Sequence, residues 1–283
     1  MADIEKLNTL IPQIKRDILR MVHGVSSGHP GGSLGCTEFM TALYFDVMDI
    51  KSEFDMNGAD EDVFFLSNGH ISPLWYSVLA RKGFFKLSEL ASFRLLNSRL
   101  QGHPTTAEGL PGIRIASGSL GQGLSVALGA ALAKRMNGDN HLVFSLHGDG
   151  ECEEGQIWEA AMAAAHYKAD NLISTFDRNG LQIDGPTEMV MGLGDLAGKL
   201  RAFGWEVIET QKGNDVGEMK TLLLEAKLKC FHGKPVAIVM HTLMGAGVDF
   251  MEGKHHWHGV APNDEELAAA LQQLPETLGD YPN

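Results

Sequence analysis

Cysteine is scarce: Cys36, Cys152 and Cys230 are the only three in 283 residues, odd in number and far apart. Neither a disulfide framework nor a cysteine-based metal site is expected, and three reduced thiols suit a cytoplasmic protein. Basic residues are also short, 23 against 36 acidic, giving a net charge of −13. That balance argues against nucleic acid or an anionic membrane as partner. A site for anionic substrates then has to be built locally, from histidines, backbone amides and a metal. Long apolar runs are missing too. The stretches 124–133 and 160–165 are too short to span a bilayer. The start, Met1-Ala2-Asp3-Ile4-Glu5-Lys6, has neither the basic residues nor the apolar run of a signal peptide. No repeat, low-complexity tract or linker is visible, so one domain over 1–283 is expected. No G-x-G-x-x-G opens a helix after a first strand, which disfavours a dinucleotide-binding oxidoreductase.

What is present is an α/β pattern. A chain this long, 44% hydrophobic and 21% charged, can bury a substantial core. Residues 14–22 have one apolar helical face and end at Gly24. The glycine- and proline-rich segment 26–33 reads as a loop. Residues 36–45 resume a helix, 63–66 read as a short buried strand, and 72–80 as a helix. Residues 81–114 look like a polar surface excursion, followed by a glycine loop and an alanine-rich helix to Met136. Further strands are expected at 141–146, 172–176, 205–208 and 236–241, with helices at 155–166, 195–203 and 216–231. Strands alternating with helices point to a mostly parallel sheet with helices on both faces. The tail, 275–283, is expected to fray.

The most informative segment is His147-Gly148-Asp149-Gly150, followed by Asp177-Arg178-Asn179-Gly180-Leu181. Each lies at the carboxyl end of an expected strand, where open α/β sheets place ligands. Two neighbouring strand ends would offer a carboxylate and an amide oxygen to one hard cation. Magnesium prefers such oxygen ligands and shares them with phosphates. The glycines flanking Asp149 let backbone approach a diphosphate without an intervening side chain. Two ordinary turns, with Asp149 capping a helix, would explain the same residues.

With Asn179 thirty residues after Asp149, this pair resembles the cofactor signature of the thiamine-diphosphate enzymes. Three more segments resemble the transketolase family in particular: Ser27-Gly28-His29-Pro30-Gly31, Leu66-Ser67-Asn68-Gly69-His70 and Ser117-Gly118-Ser119-Leu120-Gly121-Gln122-Gly123. His258-Gly259-Val260-Ala261-Pro262 is similar to the last histidine segment of that family's amino-terminal half. The resemblance runs from about Ile14 to about Leu271. It implies a thiamine-diphosphate-binding fold, with magnesium held by Asp149, Asn179 and the Leu181 carbonyl, and Ca2+ or Mn2+ as substitutes. Gly148, Asp149, Gly150, Asn179, Gly118, Ser119 and Leu120 would contact the cofactor, with Gly150 presenting its amide to the diphosphate. His70 and His258 would face that diphosphate, and His29, His103 and His258 would surround the reacting sugar oxygens. Imidazole suits this role because its pKa lies near neutrality. Glu154 falls where the family has a buried glutamate at the subunit interface; it would either relay charge between paired active sites or favour the next helix's N-terminus, and the sequence leaves both open. His255, His256 and His258 cluster in sequence, but no fourth ligand makes zinc expected. Cys152 reads as a small residue beside the cofactor loop rather than a redox group.

The resemblance also implies what is not here. The glutamate that protonates the aminopyrimidine, the pyrimidine pocket and the phosphate-binding arginines belong to the family's following domain. The chain therefore resembles the amino-terminal subunit of a split transketolase, transferring a two-carbon ketol unit between sugar phosphates of the pentose phosphate kind. Its partner would be a carboxy-terminal subunit carrying the pyrimidine domain, in a heterotetramer. Other thiamine enzymes, of the 2-oxoacid dehydrogenase or deoxyxylulose-phosphate synthase type, are the nearest alternative. A non-catalytic assembly subunit is a further one, disfavoured because it has no need of Asp149, Asn179 and the loop histidines.

Overall fold

The computed structural model describes residues 3–282. The strands are β1 (Val63–Leu66), β2 (Val143–Gly148), β3 (Leu172–Asp177), a short pair β4 (Leu181–Gln182) and β5 (Gly185–Pro186), then β6 (Glu206–Thr210) and β7 (Val236–Met240). Five of them form one parallel sheet in the order β1-β2-β3-β7-β6, and β4 and β5 form a separate antiparallel pair. Strands β1, β3 and β7 are buried along their whole length, as parallel strands covered on both faces must be.

The helices are α1 (Ile4–Gly24), α2 (Pro30–Gly35), α3 (Thr37–Ala42), α4 (Ser72–Lys82), α5 (Gly123–Met136), α6 (Gly155–His166), α7 (Thr187–Met191), α8 (Leu196–Ala202), α9 (Val216–Lys229) and α10 (Asp264–Gln273). Parallel crossovers are right-handed, so the steps β1 to β2 to β3, taken in one direction, put α5 and α6 on one face. The backward step from β6 to β7 puts α9 on the other. Accordingly α5 packs on β1, β2 and β3 and against α6, whereas α9 packs on β7 and against α3. Helix starts are marked by side chains that satisfy free amides: Asp215 accepts from the Glu218 N–H at the start of α9, and Asn263 and Glu266 form a reciprocal cap on α10.

Four expectations need correction. Helix α1 begins ten residues earlier than the apolar pattern suggested, because Pro12 lies inside it while Leu7 and Leu10 continue the buried face of Ile14 and Ile18. Part of the expected 26–33 loop is helix α2. Pro30 occupies its first turn, where the missing N–H costs nothing. Gly31 is there for closeness, since a Cβ would meet the Trp257 carbonyl oxygen at 2.8 Å. The 81–114 segment is not a surface excursion throughout, because Leu90, Phe93, Leu100, Leu110 and Ile113 are buried. The tail is docked rather than frayed up to residue 282. Asp280 accepts from Arg16 and Gln13, and Tyr281 is buried with Arg20 over its ring; Asn283 lies outside the described residues.

Candidate active site

The carboxyl ends of β1, β2 and β3 open onto one cavity of about 260 Å³. Strand β1 runs directly into a turn that carries His70. Strand β2 delivers Gly148, Asp149 and Gly150, and β3 delivers Asp177 and, past its end, Asn179 and Leu181. His29 stands at the start of α2 and His258 in the turn His255–His258. The cavity lining includes all of these, together with Gly118 and Leu120.

Asp149 is buried. One carboxylate oxygen accepts from the Gly180 N–H at 2.7 Å, the other from the Gly150 N–H at 2.8 Å. Burial, with the Asp177 carboxylate nearby, pushes Asp149 up to about 7; burial also raises Asp177. Two neighbouring buried carboxyl groups with no Lys or Arg hydrogen-bonded to either suit a divalent cation. Asn179 donates from Nδ2 to Asp177 at 2.8 Å, and its Oδ1 accepts from the Leu181 N–H at 3.0 Å. Among the described residues no three His, Cys, Asp or Glu side chains converge as metal ligands, the sequence cluster His255, His256 and His258 included. A metal here would be held by one carboxylate, amide and backbone oxygens, and the ligand's own oxygens. That is the set magnesium takes from phosphates, and it fits.

Three imidazoles, His29, His70 and His258, line the same cavity as this pair, and a fourth, His103, packs beside His29. The His29 ring lies 5.1 Å from His70, 5.7 Å from His258 and 6.3 Å from His103, and His70 stacks on His258 at 5.1 Å. Burial, with the other histidines and Arg94 adding to it, lowers His29 to about 4. Burial lowers His70, His103 and His258 as well. All four are neutral at pH 7, each with one ring nitrogen able to accept. Nδ1 of His29 and of His258 is buried without a hydrogen-bond partner, as is Asn68 Oδ1, all three residues lining the cavity. Buried polar atoms are rarely left unpaired, so these atoms mark where a polar ligand fits.

Not every expected residue reaches the cavity. Ser119 and Glu154 are exposed and outside its lining, Glu154 preceding α6 without capping it. His103 is exposed at the rim, its ring against Gly118, where a Cβ would meet it at 2.9 Å. Gly118 has φ +133°, a region open mainly to glycine. The Gly150 amide, expected to face a diphosphate, is engaged by Asp149. Residues that the sequence reading passed over line the cavity too: Asn68, Glu151, Asp177, Gln182, Ile183 and Met244. Asn68 and Asp177 lie inside the segments quoted above, and Glu151 and Gln182 lie within two residues of Asp149 and Leu181.

Residues 8–277 match the family model described as “Transketolase, thiamine diphosphate binding domain”. The chain is 36% identical over 275 residues to a subunit of the apulose-4-phosphate transketolase of Phocaeicola vulgatus, covering 97% of this chain and 96% of that one. It is 38% identical over 261 residues to a 6-deoxy-6-sulfo-D-fructose transketolase subunit of a Clostridium species, covering 92% and 93%. Transketolase from Leishmania mexicana superposes with a TM-score of 0.87 at 32% identity, covering all of this chain and 43% of that chain.

Proposed function

This chain belongs to the transketolase family as its thiamine-diphosphate-binding domain, and from that premise we propose that it is the diphosphate-binding subunit of a two-chain transketolase. It transfers a two-carbon ketol unit between sugar phosphates, with magnesium as the metal. The observation that carries this reading is the meeting of three neutral imidazoles, His29, His70 and His258, with Asp149 and Asn179 in one cavity, with a fourth, His103, at its rim. Residues 1–283 act as one domain holding the diphosphate and metal side of the site.

Asp149, Asn179 and the Leu181 carbonyl hold magnesium, with Gly148 and Gly150 beside the diphosphate. Gly118 and Leu120, which line the cavity, face the organic part. Bound thiamine diphosphate supplies carbanion stabilisation, which no side chain offers. The protein supplies orientation and proton traffic. His29, His103 and His258, neutral at pH 7, accept a proton from a sugar hydroxyl and return it to a carbonyl oxygen as that oxygen gains charge. An imidazole that begins neutral and buried releases a gained proton readily. His70, beside His29 and stacked on His258, faces the diphosphate together with His258.

Relatives of matching length are named as subunits, whereas the Leishmania transketolase chain is more than twice as long. We therefore infer a separate partner carrying the pyrimidine domain, joined in a heterotetramer of two copies of each, in the cytoplasm. Exposed Glu154 then lies at the contact between subunits. Coexpression with the product of the adjacent gene, assayed on a donor and acceptor sugar panel with magnesium and thiamine diphosphate, tests this. Activity should appear only in the complex. Robust turnover by this chain, shown by mass spectrometry to be free of other subunits, would overturn the two-chain reading.

A further inference from the structure

Glu151 is a buried carboxylate whose hydrogen-bond partners come from three separate segments around the cavity. The Ser67 hydroxyl, from the turn after β1, donates to Oε1. The Gly121 N–H, from the glycine loop 117–123, donates to the same oxygen at 2.8 Å. The Gly148 N–H, at the end of β2, donates to Oε2 at 3.1 Å, and His147 Nδ1 lies 3.8 Å from Oε2. Ser67 Oγ in turn accepts from the Gly123 N–H at 3.0 Å. The glycine loop is thus held at two points, Gly121 by Glu151 directly and Gly123 through Ser67. No lysine or arginine pairs with Glu151 in this arrangement. A carboxylate kept out of water on a hydroxyl, two backbone amides and the nearby His147 is a costly way to fill space, so its value lies in what it aligns.

We infer that Glu151 is a positioning residue that clasps the glycine loop to the turn carrying His70 and to the loop carrying Asp149. Through Gly118 and Leu120 that loop forms one wall of the cavity, and Asp149 stands on another. Glu151 fixes the distance between the wall expected to face the cofactor's rings and the wall expected to face its diphosphate. The assignment of those two walls rests on the proposed function; the clasp itself does not. An alanine or leucine at this position would leave the Gly121 and Gly148 amides unpaired. A glutamine would keep the shape but turn an NH2 group toward groups that are themselves donors.

The test compares the full chain with Glu151→Gln and Ser67→Ala by hydrogen exchange resolved to peptides. Glu151→Gln should speed exchange in peptides covering 117–123 by roughly tenfold or more, the size expected from losing one charge-assisted hydrogen bond. Peptides of β3 and α9 should be unchanged. Ser67→Ala should give a smaller increase in the same peptides, and should add little in the Glu151→Gln background. Glu151→Asp, which keeps the charge but shortens the reach, should recover part of the protection. In the assembled complex, calorimetry with magnesium should show Glu151→Gln weakening thiamine diphosphate more than inorganic pyrophosphate, because only the former spans both walls. Unchanged loop exchange in both Glu151→Gln and Ser67→Ala would overturn the clasp. If Glu151→Gln fails to fold, Ser67→Ala alone decides by the same loop peptides. Loosened loops in a complex whose wild type binds no thiamine diphosphate would sink the proposed function and leave the clasp standing.

Discussion

Asp177 accepts the Nδ2 hydrogen of Asn179 at 2.8 Å, and that bond decides which way the amide faces. With Nδ2 committed to Asp177, Oδ1 is the atom left to accept, from the Leu181 N–H and from whatever the cavity holds. Asp177 is itself fixed by the Thr242 hydroxyl, which follows β7. The side chain at the end of one strand thus orients the amide two residues on.

A difference in metal dependence follows. Asp149→Ala should abolish magnesium-dependent cofactor binding, since it removes the one carboxylate proposed to hold the metal. Asn179→Ala should weaken it less, a neutral oxygen contributing less to a divalent ion. Asp177→Ala should resemble Asn179→Ala, because it frees the amide to turn. Calorimetric titration of the assembled complex reads all three. Unchanged affinity in Asp149→Ala would sink the metal assignment.

The histidines should separate by role. His103→Ala should keep cofactor binding and lose roughly 10²–10⁴ in kcat, the usual worth of a positioned proton donor. His70→Ala should instead raise the cofactor concentration needed for half-maximal rate. Steady-state kinetics on the complex checks both. A His103→Ala enzyme within about twofold of wild type would end its proposed role.

Acid should destabilise the chain through His29. Its folded pKa, about 4, lies below the ordinary value of 6.5 because burial, then His258, Arg94 and His103, disfavour the charged ring. Below pH 6.5 the unfolded state therefore binds a proton that the folded state does not. The stability contributed by the neutral ring is complete above pH 6.5 and falls as pH drops toward 4. Thermal midpoints measured across that range should decline less steeply in His29→Gln than in wild type. Equal slopes would show that His29 is not a source of the decline.

The docked tail should contribute measurably to stability. Asp280→Ala removes the acceptor for Arg16 Nε at 2.8 Å and Gln13 Nε2 at 2.8 Å. Arg16 keeps its bonds to the Leu271 and Leu274 carbonyls, so the loss should stop at about 1–3 kcal/mol. Urea melts of the two proteins give the difference, and a midpoint within error of wild type would show the contact to be idle.

Much of the site was legible because its glycine, aspartate and histidine segments are short, contiguous and placed at strand ends. Strands β1 and β3 and helix α6 were legible for a similar reason, each being a continuous apolar or alanine-rich run. What escaped has its cause in distant contacts. Glu151 looks like another acid beside Asp149 until Ser67 and Gly121 are brought to it by folding. Asp177 ends an apolar strand and reads as its boundary. Pro12 concealed the first half of α1, because a proline usually ends a helix, and only the burial of Leu7 and Leu10 shows why this one does not. The β4–β5 pair, two residues to a strand, has no periodicity to read.

His29 and His258 approach within 5.7 Å although they come from opposite ends of the chain. During synthesis the cavity cannot close until the turn carrying His258 has emerged, about 230 residues after His29, and a fragment lacking either histidine's segment lacks one wall. Contacts this far apart in sequence carry a large loop-closure cost and form late. The apolar core and the parallel strands can therefore assemble before the histidines meet. The spectroscopic signature of the imidazole cluster should be among the last to develop in refolding, a clock for completion rather than for collapse.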